Sequence, residues 1–252
     1  MYSLLVLSLA MAAESEPASG RVSVGVGLVS AAQVDVGYSP LAYSGLLRSV
    51  GAAYERSGRR WDTHVALEYA GGPLRNPQGR RLVANSVSWM VLSLHHGERD
   101  SGFAWGWAQN NQFDTRFIDD FLNYNGRTHY FSSVGPAARG ATSFHLLGQD
   151  FDVRVTGHLQ LLGFYLPSGF VSSQPRGFGY EGLGFGAALF RSLFLFYPGS
   201  ALNFGLRPEL RWSVSDNAAL GLSWSYDHVA LRHLHAARHS RGRLGLSLDV
   251  GL

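Results

Sequence analysis

The sequence predicts an all-β fold: a closed, antiparallel, up-and-down transmembrane barrel of about ten strands, with twelve as the alternative. Three observations predict it. Apolar and polar residues alternate with period two through most of the 252 residues. The polar positions hold many Gly, Ala and Ser beside Arg, Glu, Asp and His, which suits a crowded lumen better than a watery surface. Large aromatics (Trp61, Tyr69, Phe103, Trp105, Trp107, Trp212, Trp224, Tyr226) gather near the ends of the apolar face, where interfacial girdles would lie.

The segments follow in order. In 21–30, Val22, Val24, Val26 and Leu28 are spaced by Ser23, Gly25 and Gly27. After 43–56, Trp61, Thr63, Val65, Leu67 and Tyr69 alternate with polar or small partners in 61–70. Segments 82–95, 103–114 and 129–146 come next. In 151–165, Val153, Val155, Leu159 and Leu161 oppose Arg154, Thr156, His158 and Gln160. In 202–214, Leu202, Phe204, Leu206, Leu210 and Trp212 oppose Asn203, Gly205, Arg207, Glu209 and Arg211. Segment 218–231 sets Leu220, Leu222, Trp224 and Tyr226 against Gly221, Ser223, Ser225 and Asp227. The last, 240–252, sets Leu244, Leu246, Leu248, Val250 and Leu252 against Arg243, Gly245, Ser247, Asp249 and Gly251.

Outer-membrane barrels have short turns at one end and longer loops at the other. Junctions 57–60, 96–102, 147–150 and 215–217 are short, whereas 31–42, 71–81, 115–128, 166–201 and 231–239 are mostly longer. This alternation agrees with ten strands. The stretch 166–201 is long for a loop. It reads as a long outer loop, a plug or an extra hairpin, and the hairpin would give twelve. A soluble β-sandwich or barrel that binds a ligand in the periplasm is a further alternative.

Composition narrows the functional classes. Charged residues make up 15% of the chain, below the roughly 25% usual in soluble domains. There is no cysteine, which excludes disulfide scaffolds, thiolate metal sites and a cysteine nucleophile. The mean hydropathy of −0.02 argues against a helical membrane protein. Every basic residue is Arg, and the arginines are scattered, so the isoelectric point near 9.3 does not indicate nucleic-acid binding. Residues 3–13 form a short apolar run with the A-x-A pattern Ala10-Met11-Ala12, followed by Glu14, Ser15 and Glu16. Too short to span a bilayer, the run reads as a signal peptide over 1–13, which leaves 14–252 as the barrel domain.

The chain resembles bacterial outer-membrane β-barrel proteins over about residues 20–252, as a pattern rather than as a motif. Two stretches look like those of uncharacterised envelope barrels of Gram-negative bacteria: Asp120-Phe121-Leu122-Asn123-Tyr124, and Leu166-Pro167 with Pro175-Arg176 and Tyr180. The resemblance implies export, residence in the outer membrane, contact with its lipids and lipopolysaccharide, and insertion by the envelope's assembly machinery. Such barrels usually end in an aromatic insertion signal, where this chain has Leu252. The role expected is structural or that of a small-solute, porin-like channel.

The polar strand positions supply the lumen candidates: Asp62, His64, Glu68, Arg139, Asp152, Arg154, His158, Arg207, Glu209, Arg211, Asp227, Arg243 and Asp249. They would line a channel or ligand site, or pair across strands and fill the interior, because an unpaired charge there is costly. Arg207, Glu209 and Arg211 share one strand face, and the small Gly221, Ser223 and Ser225 would face them. In the last loop, Arg232, His233, His235, Arg238, His239 and Arg241 are candidates for binding lipopolysaccharide phosphates through the guanidinium fork. An outer-membrane enzyme hydrolysing lipid or peptide is the alternative function. A His-x-Ser-Asn stretch of the phospholipase kind is absent. Asp119-Asp120 and Asp227-His228 invite comparison with omptin-type proteases, but adjacent strand residues point to opposite faces. No motif for a cofactor, a phosphate loop or a metal appears, so none is expected.

Overall fold

The computed structural model describes residues 19–35, 39–97, 102–118, 126–166, 193–232 and 237–252. All its regular elements are strands: β1 (Ser19–Asp35), β2 (Ser39–Ser57), β3 (Trp61–Arg75), β4 (Arg81–His96), β5 (Phe103–Ile118), β6 (Gly126–Leu146), β7 (Gln149–Gln160), β8 (Leu162–Leu166), β9 (Phe194–Phe196), β10 (Ala201–Ser215), β11 (Ala218–Leu231) and β12 (Ala237–Gly251). Each of β1 to β6 pairs antiparallel with the next; β6 pairs with β7, β7 with β10, and β10 to β12 follow in turn. β12 then pairs with β1, with Leu248 opposite Val24, and the ring of ten strands closes without an edge.

β8 and β9 do not enlarge this ring to twelve. β8 continues β7 along β6 after a break at Leu161, and the register moves from Ala137↔His158 to Val134↔Leu162. Pro136 sits in the β6 stretch facing the break and has no N–H to give to the ladder. β9 pairs with β8 and leads into β10 through a turn in which Ser200 N donates to Tyr197 O at 3.0 Å. The pair lengthens two walls. Residues 167–192, most of the predicted loop, plug or hairpin, lie outside the described residues, as do 1–18 with the predicted signal peptide.

The junctions that the sequence reads as short (57–60, 96–102, 147–150 and 215–217) fall at the end that carries the termini. There β6 and β7 join through Leu147 and Gly148, both at positive φ (53° and 79°), the pairing a type I′ hairpin requires. At the far end the strands run further than the sequence suggests. The predicted junctions 31–42 and 71–81 are largely strand, because inward Val29, Ala31, Tyr43, Leu47, Leu74, Leu82 and Ala84 pack into one apolar cluster that extends the wall. Asn76 closes the β3–β4 turn, its Oδ1 accepting from Gln78 N at 3.0 Å and Arg80 N at 2.9 Å.

The alternation turns its large apolar residues outward. Val26 is 61% exposed and Leu246 62%, while their neighbours Gly27 and Gly245 face inward. The outward row continues with Val24, Leu67, Leu222, Leu244 and Leu248 around the ring, a continuous apolar band that requires a nonpolar surrounding. Aromatics flank it. At the terminal end Trp61 meets His95 edge-on at 5.1 Å, and His95 approaches Trp105 at 5.9 Å. Towards the far end Trp89, Tyr130 and Phe164 form a run at 6.2 and 5.9 Å.

Candidate functional site

The interior is where the polar side chains converge. Nearest the termini, Glu55 of β2 is buried and accepts from three guanidiniums: Arg139 of β6 at 2.8 Å, Arg154 of β7 at 2.8 Å and Arg211 of β10 at 3.0 Å. These strands stand on the opposite wall, so the contacts cross the lumen. The network spreads from there. Arg211 Nε also approaches Glu209 Oε1 at 2.8 Å and Asp249 Oδ2 at 3.2 Å. Arg139 approaches Asp62 Oδ2 at 3.6 Å, and Asp62 Oδ1 lies 2.9 Å from His96 Nε2. In a low-dielectric interior each such charge needs a partner. Three arginines around two acceptor oxygens satisfy the carboxylate and brace four strands at once.

A second layer lies further from the termini. Arg243 Nη1 is 2.7 Å from Glu68 Oε2. His158 receives Gln160 Nε2 on Nδ1 at 3.1 Å and points Nε2 at Asp227 Oδ1, 3.4 Å away. His158, Asp227 and Ser225 line the same cavity. His64 and Arg207 also border that cavity.

A third layer sits near the far end. Asp114 accepts from Arg241 at 2.8 Å, and Arg116 stands 3.7 Å away. Arg116, 1% exposed, brings Nη2 within 3.1–3.2 Å of the His239 ring nitrogens. Arg241 also donates to Ser86 Oγ at 2.7 Å. The apolar cluster of Val29, Leu47 and Leu74 fills one side of this level; Phe131, Tyr165, Ala201, Leu231 and Ala237 fill another.

The candidates thus fall in different places. Asp62, His64, Glu68, Arg139, Arg154, His158, Arg207, Glu209, Arg211, Asp227, Arg243 and Asp249 share the interior. Asp152 sits at the exposed β6–β7 hairpin and accepts from Ser143 at 2.5 Å. The last-loop group divides. Arg232 and Arg238 are exposed, whereas His239 and Arg241 turn inward into the third layer; His233 and His235 lie outside the described residues. Asp227 and His228 face opposite ways. His228 packs against Phe204 on the outer wall, ring centroids 5.5 Å apart and planes tilted by 39°, and meets Ser240 Oγ at 2.9 Å. Asp119 and Asp120 lie outside the described residues.

Sequence reasoning passed over Glu55 and Arg116, and it read Asp114 with Asn110 to Tyr130 as a candidate sugar-binding stretch, whereas Asp114 turns inward to Arg241. The signal for Glu55 was available. Glu55 shares a face with Ser49, Gly51 and Ala53, opposite the outward Val50 and Tyr54, and so belongs to the lumen row. Among the described residues no group of three or more His, Asp or Glu side chains converges to hold a metal ion.

Comparison with known proteins bears on the fold. No protein-family model matches the sequence, and no curated protein matches it in sequence. The outer membrane protease OmpT from Escherichia coli is similar in structure with a TM-score of 0.57 at 7% identity, over 93% of this chain and 96% of that one. The translocator domain of the autotransporter NalP from Neisseria meningitidis gives 0.42 at 8% identity, over 99% and 94%. Ail, the attachment invasion locus protein of Yersinia pestis, gives 0.36 at 8% identity, over 91% and 98%. The likeness to OmpT, with the closed ten-strand ring, gives the chain the fold of outer-membrane β-barrel proteins.

Proposed function

We propose that this chain is an integral outer-membrane barrel with a sealed lumen and a structural role in the envelope. The observation that carries this reading is the Glu55 knot, in which arginines from β6, β7 and β10 close on a carboxylate from β2. A channel needs a continuous water path. Here the path meets one layer of ion pairs near the termini, and a second ionic layer with two apolar clusters beyond the cavity. The apolar outer band supports a place in the lipid, and the shared fold supports the outer membrane as that place. The export signal over 1–13 and insertion by the assembly machinery belong to the same proposal. So does contact with lipopolysaccharide, for which the exposed Arg232 and Arg238 remain suited.

Liposome swelling tests the role. Vesicles carrying the refolded protein should shrink and stay shrunken in small sugars, as protein-free vesicles do. Swelling at a porin-like rate would favour the small-solute channel instead.

A further inference from the structure

The cavity between the two ionic layers is bordered by an arginine that no carboxylate reaches at ion-pair distance; Glu68 and Glu209 attract it only from further away. Arg207 projects inward from β10 and borders the cavity with His64, Arg139, His158, Glu209 and Asp227. The other charges there are already engaged: Arg139 by Glu55, Glu209 by Arg211 and Asp227 by His158. Among the described residues Arg207 has no ion pair or hydrogen bond. His64 is 9% exposed, and neither of its ring nitrogens has a hydrogen-bond partner. A buried imidazole left like this is costly unless something completes it, and the half-buried Arg207 borders the same space. The wall is also cut back to glycine at this level. A Cβ at Gly205 would meet His158 Nε2 and Asp227 Oδ1 and push those two side chains aside.

From this we infer that the cavity is a binding site for a small oxyanion that carries its own proton, of the hydrogen phosphate class. The site is mixed in character, and that selects the ligand. Arg207 offers N–H donors to anionic oxygens. A neutral His64 offers one donor and one acceptor. The Asp227 carboxylate, 40% exposed on its side chain, has an oxygen free to accept a proton-bearing hydroxyl. A fully deprotonated anion such as sulfate has nothing to donate to Asp227 or to His64, and the carboxylate would repel it. The inference rests on the barrel reading of the preceding section; the cavity is reached by water, with the Asp227 side chain 40% exposed, and binding and conductance are read by separate experiments.

Inorganic phosphate is the probe. The full-length protein, refolded in detergent micelles, is titrated calorimetrically at pH 7 and fixed ionic strength, with sulfate run in parallel. We expect saturable binding of about one phosphate per chain, weakened about tenfold or more in Arg207→Gln, because a charged hydrogen bond is lost. Arg81→Gln, on the exposed far rim, should bind as the parent does. Heat-modifiable gel mobility reports whether each variant has folded, and Arg207→Lys keeps the charge should Arg207→Gln fail to fold; it should retain measurable binding. No saturable phosphate heat, or unchanged affinity in folded Arg207→Gln, would overturn the site. Sulfate binding as tight as phosphate would overturn the assigned ligand class.

Discussion

Arg211 Nη1 lies 3.0 Å from Glu55 Oε2, although 156 residues separate the two in the chain. Their strands, β10 and β2, do not neighbour each other in the ring, so the contact is made through the lumen. Both side chains are nearly inaccessible, at 4% and 7% exposure. Breaking a buried pair from one side leaves an uncompensated charge; Glu55→Ala would strip Arg154 of its partner and leave Arg139 to Asp62 and Arg211 to Glu209 and Asp249. The expected loss is about 3–5 kcal/mol. Urea unfolding in detergent micelles, followed by heat-modifiable mobility, measures it. A loss below 1 kcal/mol would mean that the knot does not brace the barrel.

The outer band separates a membrane barrel from a soluble one. Leu246 stands in the apolar row, 62% exposed, between Leu244 and Leu248. In lipid, Leu246→Arg should cost about 2–4 kcal/mol at midplane depth. On a soluble surface the same change would stay within about 0.5 kcal/mol. Folding titrations in phospholipid vesicles distinguish the two.

Packing inside the wall is close where glycine faces the lumen. A Cβ on Gly27 would come 2.8 Å from Leu244 O, 2.9 Å from Ser49 Oγ and 3.0 Å from Arg243 Nε. Gly27→Val should therefore lower stability by about 1–3 kcal/mol through overpacking. It should also disturb the Arg243–Glu68 pair, whose N···O distance is 2.7 Å. Thermal melting of the variant against wild type is the check.

Two arginines close together in sequence should behave differently. Arg241 points inward to Asp114 and Ser86, so Arg241→Ala should cost about 2–3 kcal/mol by leaving a buried acceptor short of its donor. Arg238 is exposed, so Arg238→Ala should leave stability within about 0.5 kcal/mol. Its effect should appear instead as weaker retention on lipopolysaccharide, more so at low salt than at high salt. Equal stability losses in both variants would contradict the inward turn of Arg241.

The division between Arg238 and Arg241 shows what the sequence could carry. Period two assigns a face to every strand residue, so the outward Leu244–Leu246–Leu248 row and the inward Arg243 and Asp249 were legible from alternation. Extending β12 back to Ala237 would have placed Arg241 and His239 on the same inward row; treating 231–239 as loop hid this. The length of a strand beyond the membrane is set by tertiary packing, here the interior cluster of Val29, Tyr43, Leu74 and Leu82, and not by local pattern. Lumen partners were less legible still. Which side chain meets Glu55 depends on ring closure and on the stagger of the strands around the ring, quantities that no local window contains. Hence Arg154, Arg207, Glu209 and Arg211 were placed inside, but the carboxylate that gathers Arg154 and Arg211 was not singled out.

The sealed lumen is the central claim, and single-channel recording in planar bilayers tests it most directly. The refolded wild-type protein, inserted into the membrane and shown to be folded by its heat-modifiable mobility, should carry no steady current at moderate voltage in 1 M salt. Glu55→Ala, which unties the knot nearest the termini, should at most flicker, because the Asp114–Arg241 layer remains. A stable ohmic conductance in the wild type would contradict the account.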